Sequence, residues 1–408
     1  MIKNFFLFLI IFFILLSSYN LSAQYAGGDG SAGNPYQIAT TSQLEHLMAT
    51  SSDWSSHFVL TADIDMNSLS ANPIGNSSTN FTGTFNGRSY VIRNLNINNP
   101  GADDQGLFGY ISNSTITNLG ITNAYINGQN TQGILCGTAT LSSISNCYAT
   151  GTVQGASIIG GFIGDNSISS ITNCYFNGTV EGADYIGGFC GENNIFSSIS
   201  NCYSNGSVDG DEAVGGFCGI TNQSSINNCY STCNVSGNYR IGGFCGYNYN
   251  ISSISNCYAI GNVQGSNVVG GFCGLNFFCT IEYCYSIGKP TGSTNVGGFI
   301  GDSFNGIQNC NFWNKETSEL NNAVGTGNSS GITGLTTIQF QNANSFSPCF
   351  DFDNDWVMGF YVKDSNYLFP MLRSFSYVII PTLTEWAAFL FISLLAVIGS
   401  WFVWRKLV

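Results

Sequence analysis

The sequence predicts an all-β fold, a parallel β-helix (β-solenoid) of about eight or more coils with three short strands in each repeat. A segment of the type Gly-Gly-Phe-Cys-Gly recurs eight times between Gln105 and Gly301 at intervals of 27 or 28 residues, and an Asn-Cys-Tyr segment recurs in step with it. Short apolar runs are separated by Gly, Asn, Ser and Asp, which form turns, and no window shows the apolar period of a helix. Because one coil cannot bury its own apolar face, equivalent strands must stack one repeat apart.

Composition divides the chain into seven segments. They are a signal peptide at 1–23, an N-terminal opening and capping segment of the solenoid at 24–104, the repeats at 105–312, a C-terminal capping segment at 313–373, a linker at 374–385, a transmembrane helix at 386–404 and a basic tail at 405–408.

The first segment has the layout of a secretory signal peptide. Lys3 precedes an apolar run over 5–16, and a small-residue cleavage site stands before Gln24. The apolar run is too short to span a bilayer comfortably, although an uncleaved N-terminal anchor is the alternative. The chain is therefore expected to be exported.

The segment 386–404 is predicted to cross a membrane. It carries no charge and is followed at once by Arg405 and Lys406. At about 1.5 Å per residue, a helix over this segment covers roughly 28 Å, which fits the hydrocarbon core of a bilayer. Tryptophans at both ends suit the interfaces, and the basic pair suits a cytoplasmic end. A buried core helix is the alternative.

The charge balance excludes a nucleic-acid-binding role. The chain has 23 Asp and Glu against 10 Lys and Arg, for a net charge of −13, and offers no basic patch for phosphate. Charged residues make up 8% of the chain, which could indicate disorder. The apolar residues recur at fixed intervals, however, which indicates a folded repeat.

Most of the 15 cysteines fall into two columns of the repeat. The first column contains Cys136, Cys190, Cys218, Cys245 and Cys273, and the second contains Cys147, Cys174, Cys202, Cys229, Cys257, Cys284 and Cys310. Stacked equivalents lie about 4.8 Å apart, beyond the ~3.8 Å Cβ separation of a disulfide. Buried thiol ladders are therefore favoured, and irregular disulfides or disulfides within a coil are the alternative. A zinc site is disfavoured because no C-x2-C pair occurs.

Two questions about side-chain direction stay open from the sequence. Phe and Cys are adjacent in the Gly-Gly-Phe-Cys segment, so a regular strand would point them to opposite faces unless a bulge intervenes. The tyrosines of the second column, such as Tyr203, Tyr230 and Tyr258, either pack in the core or form an outward aromatic strip suited to sugars.

These columns are similar to the repeat of GLUG-motif proteins, which are found among bacterial surface proteins. The resemblance extends over about residues 27–372 and includes Gly33–Ile38, Phe58–Asp65, Pro73–Gly75, Phe81–Gly87, Phe312–Ser318, Gly334–Thr337 and Trp356. Within the opening segment, Ser42 and Glu45 read as a capping box at the start of a short helix. The resemblance implies a β-solenoid with surface or adhesive roles and implies no substrate.

A second resemblance lies just before the apolar C-terminal segment. The residues Ile380, Pro381, Thr382, Leu383, Glu385 and Trp386 resemble an IPTL-type sorting signal, although Thr384 and Ala387 depart from its usual pattern. The resemblance implies a partner, an exosortase-like enzyme that cleaves near the motif and releases or re-anchors the ectodomain. A permanent anchor with a coincidental motif is the alternative.

The titratable residues suggest no catalytic site, and no cofactor is expected. The chain has two histidines, His46 and His57, and no H-E-x-x-H motif. The best acidic candidates for a calcium site are Asp209, Asp211 and Glu212 on one turn, and Asp351, Asp353 and Asp355 near the C-terminus. Solvated acidic turns are the alternative for both groups.

We therefore expect a non-enzymatic surface protein with a structural or adhesive role, whose flank binds glycans or cell surfaces. The alternative is a carbohydrate-active enzyme, a polysaccharide lyase or hydrolase built on the same scaffold. No Lys or Arg occurs between Arg93 and Arg240, so the middle coils lack the cation that a lyase uses.

Overall fold

The computed structural model describes residues 24–67, 70–360 and 368–378. The expected signal peptide, the sorting motif at 380–386, the transmembrane helix and the basic tail lie outside the described residues. Within those ranges, no helix is both long and apolar enough to cross a membrane. The chain divides into two compact units, Met1–Phe350 and Asp351–Val408.

The first unit is a parallel β-solenoid of about ten turns, which confirms the predicted fold class. In chain order within a coil, the first sheet has 7 strands, the second has 9 and the third has 24. Equivalent residues pair in parallel between successive coils, as Cys190 does with Cys218 and Tyr175 with Tyr203. Each strand therefore takes its hydrogen bonds from the coils on either side.

The first sheet consists of Asn130–Gln132, Ser157–Gly160, Asp184–Gly187, Glu212–Gly215, Tyr239–Gly242, Asn267–Gly270 and Thr294–Gly297. The second sheet consists of Phe108–Ser112, Cys136–Thr140, Ile163–Ser167, Cys190–Asn194, Cys218–Asn222, Cys245–Tyr249, Cys273–Phe277, Ile300–Phe304 and Val324–Gly327. The third sheet consists of Tyr36–Ile38, His57–Leu60, Ile64–Asp65, Thr84–Asn86, Val91–Arg93, Asn96–Asn98, Thr115–Thr117, Gly120–Asn127, Ser143–Ser145, Tyr148–Gln154, Ser170–Thr172, Tyr175–Glu181, Ser198–Ser200, Tyr203–Asp209, Ser225–Ser231, Asn234–Ser236, Ser253–Ala259, Val263–Gln264, Thr280–Glu282, Tyr285–Ser286, Pro290–Thr291, Ile307–Asn309, Asn311–Asn314 and Ile332–Leu335.

A central coil contains four strands where the sequence predicts three. In the coil 155–181, the third sheet contributes both Ser170–Thr172 and Tyr175–Glu181. Asn173 stands between them with φ of 56°, in the left-handed region. Asparagine adopts this conformation more readily than most residues, so one predicted apolar run bends into two short strands at this residue.

The Gly-Gly-Phe-Cys segment forms a corner between the first and second sheets. A first-sheet strand ends at Gly187 and the next strand begins at Cys190, so Phe189 and Cys190 are both fully buried without a bulge. A Cβ on Gly187 would lie 1.9 Å from the Cys190 carbonyl oxygen, and one on Gly188 would lie 2.1 Å from the Gly216 carbonyl oxygen. The paired glycines therefore serve the tight corner and the close approach of the next coil.

Stacked phenylalanines fill one part of the interior. Six fully buried rings lie one per coil with centroids 4.8 or 4.9 Å apart and are Phe162, Phe189, Phe217, Phe244, Phe272 and Phe299. Burial of a phenylalanine side chain contributes roughly 1.5–3 kcal/mol, so this column is a main source of stability.

The opening end of the solenoid is covered by the helix Thr41–Ala49, which buries Leu44, Leu47 and Met48, and by the 3-10 helix Ser51–Asp53. The predicted capping box is wrong in position, because Thr40 rather than Ser42 caps the helix. The Thr40 side chain accepts the N–H of Gln43, whose own amide oxygen accepts the N–H of Ala39.

The closing end of the solenoid is covered by short helices, Lys315–Ser318, Thr337–Phe340 and the 3-10 helix Ala343–Phe346. Phe346 and Phe350 pack against Phe312 of the last coils, with ring centroids 4.9 and 5.2 Å away. A disulfide between Cys310 and Cys349 ties this covering segment to the solenoid.

The described part of the second unit is an antiparallel hairpin of Trp356–Phe360 and Leu368–Leu372, followed by the 3-10 helix Arg373–Val378.

Candidate functional site

In each of eight coils, two residues with left-handed backbone lie on either side of a three-residue segment of the third sheet, such as Ser170–Thr172. We call these two positions the apolar corner and the asparagine corner. The apolar corner contains Asn113, Leu141, Ile168, Phe196, Gln223, Ile251, Phe278 and Asn305. The asparagine corner contains Asn118, Asn146, Asn173, Asn201, Asn228, Asn256, Tyr283 and Cys310. Every one of these residues has φ between 48° and 62°.

The residue that follows each corner position performs the same task at both corners. At the apolar corner, Ser169 Oγ donates to the Ser167 carbonyl at 2.8 Å and accepts the N–H of Ser142 at 2.9 Å. At the asparagine corner, Cys174 Sγ donates to the Thr172 carbonyl at 3.3 Å and accepts the N–H of Cys147 at 3.4 Å. The second cysteine column therefore supplies backbone hydrogen bonds between neighbouring coils.

Thirteen of the cysteines are free and buried. In the first column, Cys190 pairs in register with Cys218, and Cys245 with Cys273, while Ile163 occupies the equivalent place beside Cys136. Burial raises the pKa of the Cys174 and Cys202 thiols well above the ordinary value, which keeps them protonated.

The assignment of Cys310 to the second column is wrong. The residue equivalent to Cys284 is Asn311, whose Oδ1 accepts the Cys284 N–H at 3.0 Å across a separation of 27 residues. Cys310 lies one residue before that register, at the left-handed position, and forms the disulfide with Cys349. Because Cys310 lies at a corner and not at an inward position, it can form a disulfide, whereas the stacked inward thiols do not.

The tyrosines of the second column form a ladder of parallel rings. Successive centroids are 4.8 to 5.0 Å apart with ring planes within 6° of each other, in the order Tyr148, Tyr175, Tyr203, Tyr230, Tyr258 and Tyr285. The first four rings are half-buried and the last two are buried. Burial raises the pKa of Tyr203 to about 12.

The ring faces of this tyrosine ladder are covered. Each inner ring lies between two others, Phe340 packs against Tyr285, and a Cβ on Gly120 would lie 2.6 Å from Tyr148 Oη. A sugar packs on an aromatic side chain through the ring face, so the ladder offers edges and hydroxyls but no stacking platform. This geometry favours the packing account of the tyrosines.

The acidic group of Asp209, Asp211 and Glu212 does not converge on one point. Each carboxylate pairs with a side chain one coil further along, and the partners are Ser236, Asn238 and Arg240, the last with an N–O distance of 2.8 Å. Across residues 24–67, 70–360 and 368–378, no group of three or more His, Cys, Asp or Glu side chains is placed to hold a metal ion.

The C-terminal acidic group is part of a turn. Asp351 Oδ2 accepts the Asn354 side-chain amide at 2.8 Å, and Asp351 Oδ1 accepts the backbone N–H groups of Asp353 at 2.9 Å and Asn354 at 3.0 Å. These bonds, the one from the Asn354 side chain first, lower the pKa of Asp351. Asp351, Asp353 and Asp355 are all exposed. The turn accounts for Asp351 without a bound cation.

A shallow groove runs along the rod beside the apolar corner, and we call it the serine groove. Its floor is a column of outward hydroxyls from Thr115, Ser143, Ser170, Ser198, Ser225 and Ser253. Two adjoining hollows of about 430 and 400 Å³ share Phe196 and Ser198, so the groove continues across six coils. At about 4.8 Å per coil this length is roughly 24 Å.

Large apolar side chains stand exposed along this groove. Phe196 is 79% exposed, Ile251 is 84% exposed and Leu141 is 56% exposed. The left-handed conformation costs a residue with a Cβ roughly 1–2 kcal/mol, and a β-branched residue such as Ile251 is an outlier there. Because these side chains are exposed, burial of apolar surface in the folded chain does not offset this conformational cost.

The sequence interpretation missed the apolar corner. Both corners beside the short third-sheet segment need a left-handed residue, and one of them carries asparagine in six of eight coils. The other carries leucine, isoleucine or phenylalanine in five coils, as in Ile168-Ser-Ser and Phe196-Ser-Ser. The sequence signal for this corner is an apolar residue at a turn position where other coils carry asparagine.

The family model of the GLUG motif matches the chain at residues 155–181, 182–209 and 237–264, and each match is one coil. This finding confirms the predicted resemblance for the repeats. Halomucin of Haloquadratum walsbyi is 36% identical over 160 residues, which is 36% of this chain and 2% of the relative. A protein of Evansella cellulosilytica named as a Gly-rich membrane protein is 33% identical over 131 residues, which is 29% of this chain and 15% of the relative. The chain thus spans a small part of both relatives.

Two solved structures are similar to the chain. A protein of Bacteroides ovatus named as an immunoglobulin A1 protease is 19% identical, with 86% of this chain and 96% of that chain covered and a TM-score of 0.47. A structure named IgA1 Protease is 15% identical, with 72% of this chain and 23% of that chain covered and a TM-score of 0.41. At these values neither structure bears on activity.

Proposed function

We propose that this GLUG-motif solenoid is an exported protein of the cell surface that acts as a rigid structural or adhesive rod. The names of the two relatives, halomucin and a Gly-rich membrane protein, support a surface or membrane location. The serine groove with its exposed apolar corner carries the adhesive part of the proposal. Exposed apolar side chains aligned along a groove are typical of surfaces that bind a partner.

The proposed role does not require catalysis. The carboxylates of Asp209, Asp211 and Glu212 are engaged by partners in the neighbouring coil, which supports a structural role for them. An adhesive rod needs repeated contacts of modest strength, and a stack of similar coils supplies them along its length.

We further propose that the segment 386–404 anchors the rod and that an exosortase-like enzyme processes it at the motif 380–386. Mass spectrometry of the mature protein from its native envelope tests this step. A new C-terminus at or near the motif is expected, and an intact Val408 would show that the anchor is permanent.

The function is tested on cells that produce the full chain and on cells that lack it. We expect extracellular protease to remove the solenoid from intact cells, and we expect the producing cells to adhere better to glycan-coated surfaces. The same protein is incubated with a panel of polysaccharides. Shortened products that disappear when Asp209, Asp211 or Glu212 is changed would replace the adhesive proposal with the carbohydrate-active enzyme.

A further inference from the structure

The apolar side chains of the serine groove are unusual because they combine a left-handed backbone with exposure. Val268 of the first sheet is also left-handed, with φ of 57°, but it is buried and packs in the fold. Ile251 has φ of 62° and is 84% exposed. Exposure therefore separates the groove residues from Val268, and it indicates that their role involves a molecule outside the chain.

The floor of the groove presents hydroxyl groups that the fold does not use. The inner serines, such as Ser169 and Ser197, are buried and hydrogen-bond within the corner. The outer serines alternate with buried isoleucines along each short strand, as Ser198 does with Ile199, so their hydroxyls point outward. One hydroxyl recurs in each coil, and each can donate one hydrogen bond and accept two.

The lining of the groove is uncharged, although the chain carries a net charge of −13. An anionic polymer would meet the negative field of the rod without a cation to bind it. A cationic ligand would find no carboxylate along the groove. The lining matches a neutral ligand that offers hydroxyl groups and apolar C–H faces.

We propose that the serine groove binds an uncharged polysaccharide chain lying lengthwise along the rod. Sugar hydroxyls bond to the outer serines, and the C–H faces of the sugar rings pack on Phe196 and Ile251. The regular repeat of one hydroxyl and one corner residue per coil suits a polymer of identical units, because weak contacts add along it. This inference rests on the proposed adhesive function and names its ligand class.

The test measures retention of the full-length chain, solubilised in detergent, on insoluble β-glucan and mannan particles. Alginate and dextran sulfate beads serve as the anionic counterparts. We expect retention on at least one neutral polymer and at least tenfold weaker binding for the double variant Phe196→Asn with Ile251→Asn. Asparagine tolerates both left-handed positions, so this variant keeps the fold.

The matched control is Ile338→Asn, since Ile338 is 78% exposed but lies in the short helix Thr337–Phe340, away from the groove residues. It should bind as the unchanged protein does. A second variant, Ser198→Ala with Ser225→Ala, should weaken binding several-fold and leave the thermal midpoint unchanged. Tyr203→Phe should have no effect, because the tyrosine ladder lies beyond the asparagine corner.

Four outcomes would overturn the inference. The first is no retention on any neutral polymer, the second is retention on the anionic beads alone, and the third is equal retention of the double variant. The fourth is a chain that self-associates, if the double variant loses this assembly and keeps its glycan retention. Protease removal of the solenoid from intact cells is unaffected by these outcomes. A surface-located chain that fails to bind neutral polymers would therefore sink this inference and leave the surface location standing.

Discussion

The asparagine corner and the apolar corner have the same backbone conformation and a similarly hydrogen-bonded residue behind them, but their exposed side chains differ. At the asparagine corner, Asn173 donates from its amide to Asn146 Oδ1 at 3.2 Å, so the side chains bond to each other along the rod. At the apolar corner, Ile251 and Phe196 extend into solvent. This difference indicates that the asparagines are selected for the backbone conformation, whereas the exposed apolar residues are selected for a contact outside the fold.

Among the corner variants, a change of the hydrogen-bonded residue behind each corner has the largest expected effect. Cys202→Ala should destabilise the fold by about 1–3 kcal/mol, because the Cys174 N–H and the Ser200 carbonyl lose their partner. Cys202→Ser should cost about 1 kcal/mol or less, since serine performs this task at the other corner. Urea unfolding of the two variants measures both values, and equal costs would contradict the shared role.

Asparagine itself is the next feature to change. Asn256→Ile places a β-branched residue at φ of 49° and should destabilise the fold by about 1–2 kcal/mol. The midpoint of urea unfolding reports the change. If this variant is as stable as the unchanged chain, the left-handed conformation carries no cost in this solenoid, and the exposed residues of the apolar corner then need no outside ligand.

The reverse exchange in the same coil should have the opposite sign. Ile251→Asn relieves the strain of a mostly exposed side chain and should stabilise the fold by about 1 kcal/mol, while it weakens binding in the serine groove. Unfolding and glycan retention are measured on one preparation. A loss of stability would show that Ile251 belongs to the fold rather than to a binding surface.

A separate test of the comparison concerns pH. Burial and the nearby carboxylates of Glu192 and Asp104 raise the pKa of Asp165 from 3.8 to about 7. The folded chain then holds a proton that the unfolded chain releases, so this group lowers stability as pH rises from about 4 to about 7. Asp165→Asn should flatten that slope, whereas the uncharged corner variants should show the same stability change at both pH values. An unchanged slope in Asp165→Asn would place the pH dependence elsewhere.

The periodic part of the sequence was sufficient to predict the coil and its register. A shift of one position within a strand turns an inward side chain toward the solvent. An interval of 27 or 28 residues that is kept over eight copies therefore indicates coils stacked with equivalent residues in register. The predicted register is wrong where the period ends. Cys310 is one residue out of register, although Asn309, Cys310 and Asn311 together resemble the Asn-Cys-Tyr segment of the second column.

The sequence by itself determined the β-solenoid, the stacking of equivalent residues and the burial of the two cysteine columns, because these follow from period and polarity. The tertiary structure decided the rest. It showed that a corner lets Phe189 and Cys190 both point inward, that the tyrosine rings cover one another, and that one of two left-handed corners exposes apolar side chains. The same residue types occur at turn positions that face solvent and at turn positions that face a neighbouring segment. The exposure of a turn residue therefore depends on how the coils pack.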